Sequence, residues 1–97
     1  MINLGERIEL KEFNNLEPGE LTILKKMIGN HANSFHDFQK LTLHMKNVHE
    51  KQKNVKFQIN GILVKEDKQY EAECTNYNLF FVINEVLEEL RKQCDKD

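Results

Sequence analysis

Apolar residues change their spacing twice along this chain, and each change marks an element. From Glu20 to about Phe38 they recur at helical intervals: Leu21, Leu24, Met27, Ile28, Ala32, Phe35 and Phe38. At 100° per residue these positions, with His31, fill one arc of roughly 140°, the core-facing stripe of an amphipathic helix. Pro18 suits the first turn of that helix, and Glu17 and Glu20 suit the positive end of its dipole. The stretch from His31 to His36 is poor helix material, so the periodicity weakens toward its end.

After Lys40 the period drops to two. Leu41, Leu43 and Met45 alternate with Thr42, His44 and Lys46, which predicts a half-buried strand. Asn47 to Asn54 is polar and reads as a connection. Val55, Phe57 and Ile59 alternate with Lys56, Gln58 and Asn60 in a second strand, and Ile62, Leu63 and Val64 continue it. Gly61 is expected to form a bulge within this run, with the chain turning at Lys65-Glu66-Asp67-Lys68. Tyr70, Ala72 and Cys74 then form the inward side of a third strand. Upstream, residues 6–13 alternate weakly, with Ile8 and Leu10 on one side, as a short edge strand would.

The last element is the clearest. Leu79, Phe80, Val82, Ile83, Val86, Leu87 and Leu90 occupy an arc of about 160°, with Glu85, Glu88, Glu89 and Lys92 outside it. Thr75 or Asn76 is placed to cap this helix. The order is therefore β-α-β-β-β-α, an α+β fold in which two helices cover one face of a four-stranded sheet. The other face is left to solvent. Ninety-seven residues suffice for a single domain, 1–97, with one core.

Composition narrows the class without naming a function. With 39% hydrophobic and 31% charged residues the chain looks like a soluble globular protein. No apolar run approaches the roughly 20 residues that span a bilayer, and MINLGERIEL lacks the pattern of a secretory signal. Both features predict a cytoplasmic location. Cys74 and Cys94 lack metal-ligand spacing and are expected as thiols rather than as a disulfide.

Charge is distributed unevenly. Residues 41–65 carry Lys46, Lys51, Lys53, Lys56 and Lys65 against Glu50, a net of +4 in a chain whose net is −2. Residues 66–97 carry nine acids against Lys68, Arg91, Lys92 and Lys96, a net of −5. Cations at the spacing of phosphates favour nucleic acid through counterion release, so the basic segment is a candidate RNA-binding surface. Lys46, Lys51 and Lys53 are expected at one end of the sheet, Lys56, His44 and Gln58 on its open face, and Lys25 and Lys26 on the first helix. A continuous positive face would favour RNA; a broken one would favour a protein partner.

From Tyr70 to Gln93 the text becomes more specific. Tyr70-Glu71-Ala72-Glu73 is followed by the polar stretch Thr75-Asn76-Tyr77-Asn78, and then by Phe80, Ile83, Asn84, Val86, Glu88, Leu90 and Gln93. This segment, with the element order, resembles the ribosome hibernation promoting factors, the family that includes ribosome-associated inhibitor A. The resemblance implies a small α+β domain that binds small ribosomal subunit RNA near the decoding region. It would lie across the path of messenger and transfer RNA and silence translation under stress without chemistry. Members of that family usually carry basic residues where this chain has Glu71 and Glu89, so the RNA footprint is expected to differ.

No nucleophile motif, glycine-rich phosphate loop or paired catalytic carboxylates appear, so the chain reads as a binding protein rather than an enzyme, with no cofactor. Among the four histidines, His31 and His36 share the first helix, but their spacing of five puts them on different sides. No metal site is expected. His31 falls on the apolar arc and reads as a boundary or satisfied core residue. Phe81 points away from the apolar face of its helix. It either packs sideways against the Thr75–Asn78 turn or Tyr77, or serves as an exposed anchor for a protein partner or for self-association. That second use defines the alternative function, a protein-interaction module using Phe81 and the acidic helix face. Generic double-stranded RNA binding is disfavoured, because Thr75-Asn76-Tyr77-Asn78 lacks lysines to grip phosphates across a groove.

Overall fold

The computed structural model describes residues 2–13, 16–35, 37–49 and 55–95, the side chains of 47–49 and 55 excepted. The elements are β1 (Ile2–Leu4), β2 (Ile8–Lys11), α1 (Pro18–Ala32), β3 (Lys40–His49), β4 (Val55–Lys65), β5 (Lys68–Asn76) and α2 (Leu79–Asp95). They form one mixed five-stranded sheet in the order β1-β2-β3-β4-β5. Only β2 and β3 run parallel, and α1 supplies the crossover that parallel neighbours require.

The expected α+β class holds, but the sheet has five strands rather than four. β1 pairs antiparallel with β2, Ile2 opposite Leu10 and Leu4 opposite Ile8, so β2 is not the edge. Three residues are too short to show a period. Their hairpin turns at Gly5, which takes φ +75°, a backbone region glycine enters without steric cost. β2 stops at Glu12, whose φ of 62° reverses the chain and brings Phe13 into the core.

The first helix begins as expected. The Glu17 backbone N–H donates to Glu20 Oε1 at 3.2 Å, which satisfies a donor at the helix entrance. It ends at Ala32, short of the stripe that suggested Phe38. Beyond Ala32 the chain tightens: the Ser34 N–H donates to the His31 carbonyl at 2.9 Å and the Phe35 N–H to that of Ala32 at 3.1 Å. Phe35 and Phe38 still reach the core, packing edge to face with centroids 6.0 Å apart. Periodicity here reported burial and not helix. Arg7 closes that corner, its guanidinium 4.3 Å from the Phe38 ring centroid and its Nη1 donating to the Phe38 carbonyl at 3.2 Å.

The sheet interior follows the alternation. Leu41, Leu43, Met45, Ile59, Leu63 and Ala72 are buried against Leu24 and Ile28 of α1 and Val82, Ile83, Val86, Leu87 and Leu90 of α2. Each fully buried aliphatic side chain is worth ~1.5–3 kcal/mol over its exposed form, and none of the described buried residues is polar or charged. β3 runs on to His49, where a polar connection was expected from Asn47. Backbone pairing with β4 continues through Val48↔Lys56 and His49↔Val55, and the ladder overrides the polarity of those side chains. The turn at Glu66-Asp67 is as expected, with φ of 54° and 62°, the positive values that a tight two-residue hairpin needs.

Gly61 forms no bulge. Its pairings, with Leu43 on β3 and Ala72 on β5, are in register on both sides. It is there because α2 is close. A Cβ at residue 61 would lie 2.6 Å from Val86 Cγ1, 3.1 Å from Leu90 Cδ1 and 3.2 Å from Leu43 Cδ2. The missing side chain lets the helix settle onto β4.

The α2 cap is Asn78, two or three residues beyond the predicted Thr75 or Asn76. β5 extends to Asn76, and Asn78 Oδ1 accepts from the Phe81 N–H at 3.1 Å, the bond an N-cap makes with the third helical residue. At the far end of α2, Gln93 Nε2 donates to the Glu71 carbonyl at 2.7 Å, covering one backbone acceptor on the open edge of β5.

His31 behaves as the boundary residue its position suggested. Its Nε2 donates to Asn84 Oδ1 at 2.9 Å, and Nδ1 lies 3.8 Å from Glu88 Oε1, so it ties α1 to α2. Cys74 and Cys94 are not disulfide-bonded. Burial, reinforced by the charge of Glu85, pushes the Cys74 thiol above its ordinary pKa, which keeps it protonated at neutral pH. No described helix is long and apolar enough to cross a membrane.

Candidate nucleic-acid interface

The strands that bury Leu41, Leu43 and Met45 on one side present Thr42, His44 and Lys46 on the other. Register assigns the rest of this open face. Lys46 lies opposite Gln58, His44 opposite Asn60, and Thr42 opposite Ile62; on the next strand Gln58 faces Thr75 and Asn60 faces Glu73. Lys56 shares the same side of β4, at the end where β3 and β5 also finish. Lys46 is exposed and Lys56 half-buried.

Seven lysines and histidines predicted from sequence therefore separate into groups. Lys46, Lys56 and His44 come together on the open face. Lys25 and Lys26 are exposed on α1, in the helical layer on the opposite side of the sheet. Lys51 and Lys53 lie outside the described residues. The first group alone forms a contiguous surface among the described residues.

Elsewhere on that surface the charge is mixed. Glu9, on β2, sits between Lys40 at 3.1 Å and Lys11 at 3.7 Å, and its side chain is 14% exposed. The hydrogen bond from Lys40 holds the Glu9 carboxyl below its ordinary pKa, with the charges of Lys40 and Lys11 adding to it. One of the two lysine charges is thereby offset by Glu9. Glu71 and Glu73 lie on the β5 side, Glu71 held by Gln69 Nε2 at 3.0 Å. A phosphate backbone crossing the whole face would meet Glu9, Glu71 and Glu73. The end carrying Lys46 and Lys56 is the part of the face with cations and no described carboxylate beside them.

Two aromatic residues stand near that end, one of which the sequence did not single out. Phe81 is 47% exposed and Tyr77 is 50% exposed, both in or beside the turn that leads into α2. Lys56 Nζ lies 5.2 Å from the Tyr77 ring centroid, a cation–π distance. Extending the β4–β5 register one step past Phe57↔Asn76 sets Lys56 across from Tyr77, a signal that was present in the sequence. Among the described residues no three histidine, cysteine, aspartate or glutamate side chains form a metal-binding group.

Solved structures share this arrangement of elements. The chain is similar to the N-terminal domain of Protein Y from Thermus thermophilus, with a TM-score of 0.61 and 10% identity over 92% of this chain and 93% of that one. It is similar to a ribosomal subunit interface protein from Coxiella burnetii, with a TM-score of 0.60 and 10% identity over 93% of this chain and 92% of that one. The sequence matches no family model and no curated protein. At 10% identity, what the chain shares with these two structures, over nearly its whole length, is their fold.

Proposed function

We propose that this protein is a non-catalytic ribosome-binding protein that contacts small-subunit RNA and silences translation by occupying the decoding region. The observation that carries the reading is the end-to-end likeness in fold to a protein described as a ribosomal subunit interface protein. The resemblance of Tyr70–Gln93 and of the element order to the hibernation factors agrees with it. Lys46 and Lys56, with His44 beside them, are the contacts to phosphate. Lys51 and Lys53 extend the same basic segment in sequence. The acids that interrupt the open face limit the footprint to one end, so the contact is small and strongly salt-dependent.

Co-sedimentation with isolated small subunits tests this reading. Binding at low ionic strength that falls steeply with added salt is expected. The absence of salt-sensitive co-migration removes the proposal.

One observation favours a second reading, a protein-interaction module. The positive face is broken, and Phe81 is half-exposed beside the acidic face of α2. Under that reading Phe81→Ala changes oligomeric state or partner capture and leaves small-subunit binding untouched.

A further inference from the structure

The turn between β5 and α2 holds an exposed aromatic ring in a defined place. The Asn78 N–H donates to Asn76 Oδ1 at 3.1 Å, while Asn78 Oδ1 accepts from the Phe81 N–H at 3.1 Å. Side-chain bonds of this kind fix a turn as a backbone ladder would. Tyr77 sits between the two asparagines and is still 50% exposed. Here half of the residue is left in solvent.

Two further features lie against the same ring. On the sheet side is the Lys56 ammonium, 5.2 Å from the centroid. Tyr77 also lines an open cavity of about 400 Å³, together with Phe57 and Phe80 and with the polar side chains of Glu20 and Asn78. Flat apolar walls bordered by a carboxylate and an amide suit a planar heterocycle with hydrogen-bonding edges. The Lys56 ammonium on the sheet side of Tyr77 suits a ligand that carries phosphate.

We propose that Tyr77 is a stacking platform for one unpaired base of a single-stranded RNA segment, with Lys56 and Lys46 holding the adjoining phosphates. This rests on the ribosome-binding reading above and specifies the form of RNA it takes. Duplex RNA does not fit. Its bases are already stacked, and its grip requires cations spread across a groove, whereas Glu9, Glu71 and Glu73 interrupt the remainder of this face. Stacking on an aromatic side chain tolerates any base, so the site discriminates strandedness and not sequence.

The test compares a short single-stranded RNA with an abasic strand of equal length, binding the full chain at low ionic strength. The natural strand is expected to bind roughly five- to hundred-fold more tightly. Tyr77→Ala should abolish that preference, and Tyr77→Trp should keep it; an exposed turn residue leaves the thermal midpoint unchanged in both. Equal binding of the two strands, or a preference that survives Tyr77→Ala, overturns the base site while small-subunit binding stands. If neither strand binds and small subunits still co-sediment, the base site again falls alone. If small subunits also fail to co-sediment, both proposals fall.

Discussion

The two faces of this sheet are made from the same strands, yet they answer to different constraints. On the covered face, Leu41, Leu43, Ile59 and Leu63 are fully buried and meet two helices. Every position there is decided by volume, and no described polar group intrudes. On the open face, Thr42, His44, Gln58 and Asn60 remain partly exposed, and the arrangement is set by charge: Glu9 held between two lysines, Lys46 and Lys56 gathered at one end. The covered face is intolerant and defines the fold. The open face is tolerant and free to carry a function.

Single substitutions should separate the faces sharply. Leu87→Ala removes a fully buried side chain of α2 and should cost ~2–5 kcal/mol in urea unfolding. Thr42→Ala, on the opposite side of the strand next to Leu41 and Leu43, should change stability by about 0.5 kcal/mol or less. Comparable losses from both would erase the distinction.

Gly61→Ala sharpens it at one position. Central strands ordinarily gain from losing a glycine, but a Cβ here would meet Val86 Cγ1 at 2.6 Å. Val86 is β-branched and has little rotameric freedom to withdraw. A destabilisation of about 1–3 kcal/mol is expected from the overpacking. A neutral or stabilising result would show that α2 can shift away from β4.

The open face should respond to pH instead. The Glu9 carboxyl has its pKa lowered in the folded protein, chiefly by its hydrogen bond with Lys40. Its contribution is therefore present above the unfolded carboxylate value and is lost as pH falls through the folded one. In Lys40→Met that part of the acid limb should shrink, so the variant and parent should differ at pH 7 and converge only as pH falls through the lowered folded value, below the ordinary carboxylate range. Because the site is close to solvent the effect is the smallest of these, and it should shrink further in salt. Curves that stay parallel down the acid limb would show that Lys40 does not govern this group.

How much of this was legible in the chain follows the same division. The burial of Leu41, Leu43, Ile59, Ala72 and the α2 stripe was readable because a period of 2 or 3.6 is a direct consequence of one-sided packing. β1 was not, since three residues carry no period. Phe35 and Phe38 were read as helix because burial alone produced the same spacing. The role of Gly61 depends on how closely α2 approaches, a tertiary fact that local pattern suggests only as some departure from an ordinary strand. On the open face, residue types located Lys46, Lys56 and His44, while the separation of Lys25 and Lys26 from them needed the layer order. Tyr77 was read only as part of a polar turn and as a packing partner for Phe81, because the turn it occupies reads as polar.

The central claim is that the sheet end, and not the helical layer, meets small-subunit RNA. The most direct measurement is the salt dependence of small-subunit affinity for two charge-reversed pairs, Lys46→Glu with Lys56→Glu and Lys25→Glu with Lys26→Glu. The sheet pair should weaken binding and reduce the slope of log affinity against log salt by about 2, one for each lysine. The helix pair should leave that slope at its parental value. A parental slope in the sheet pair, with the loss appearing in the helix pair, would contradict the account.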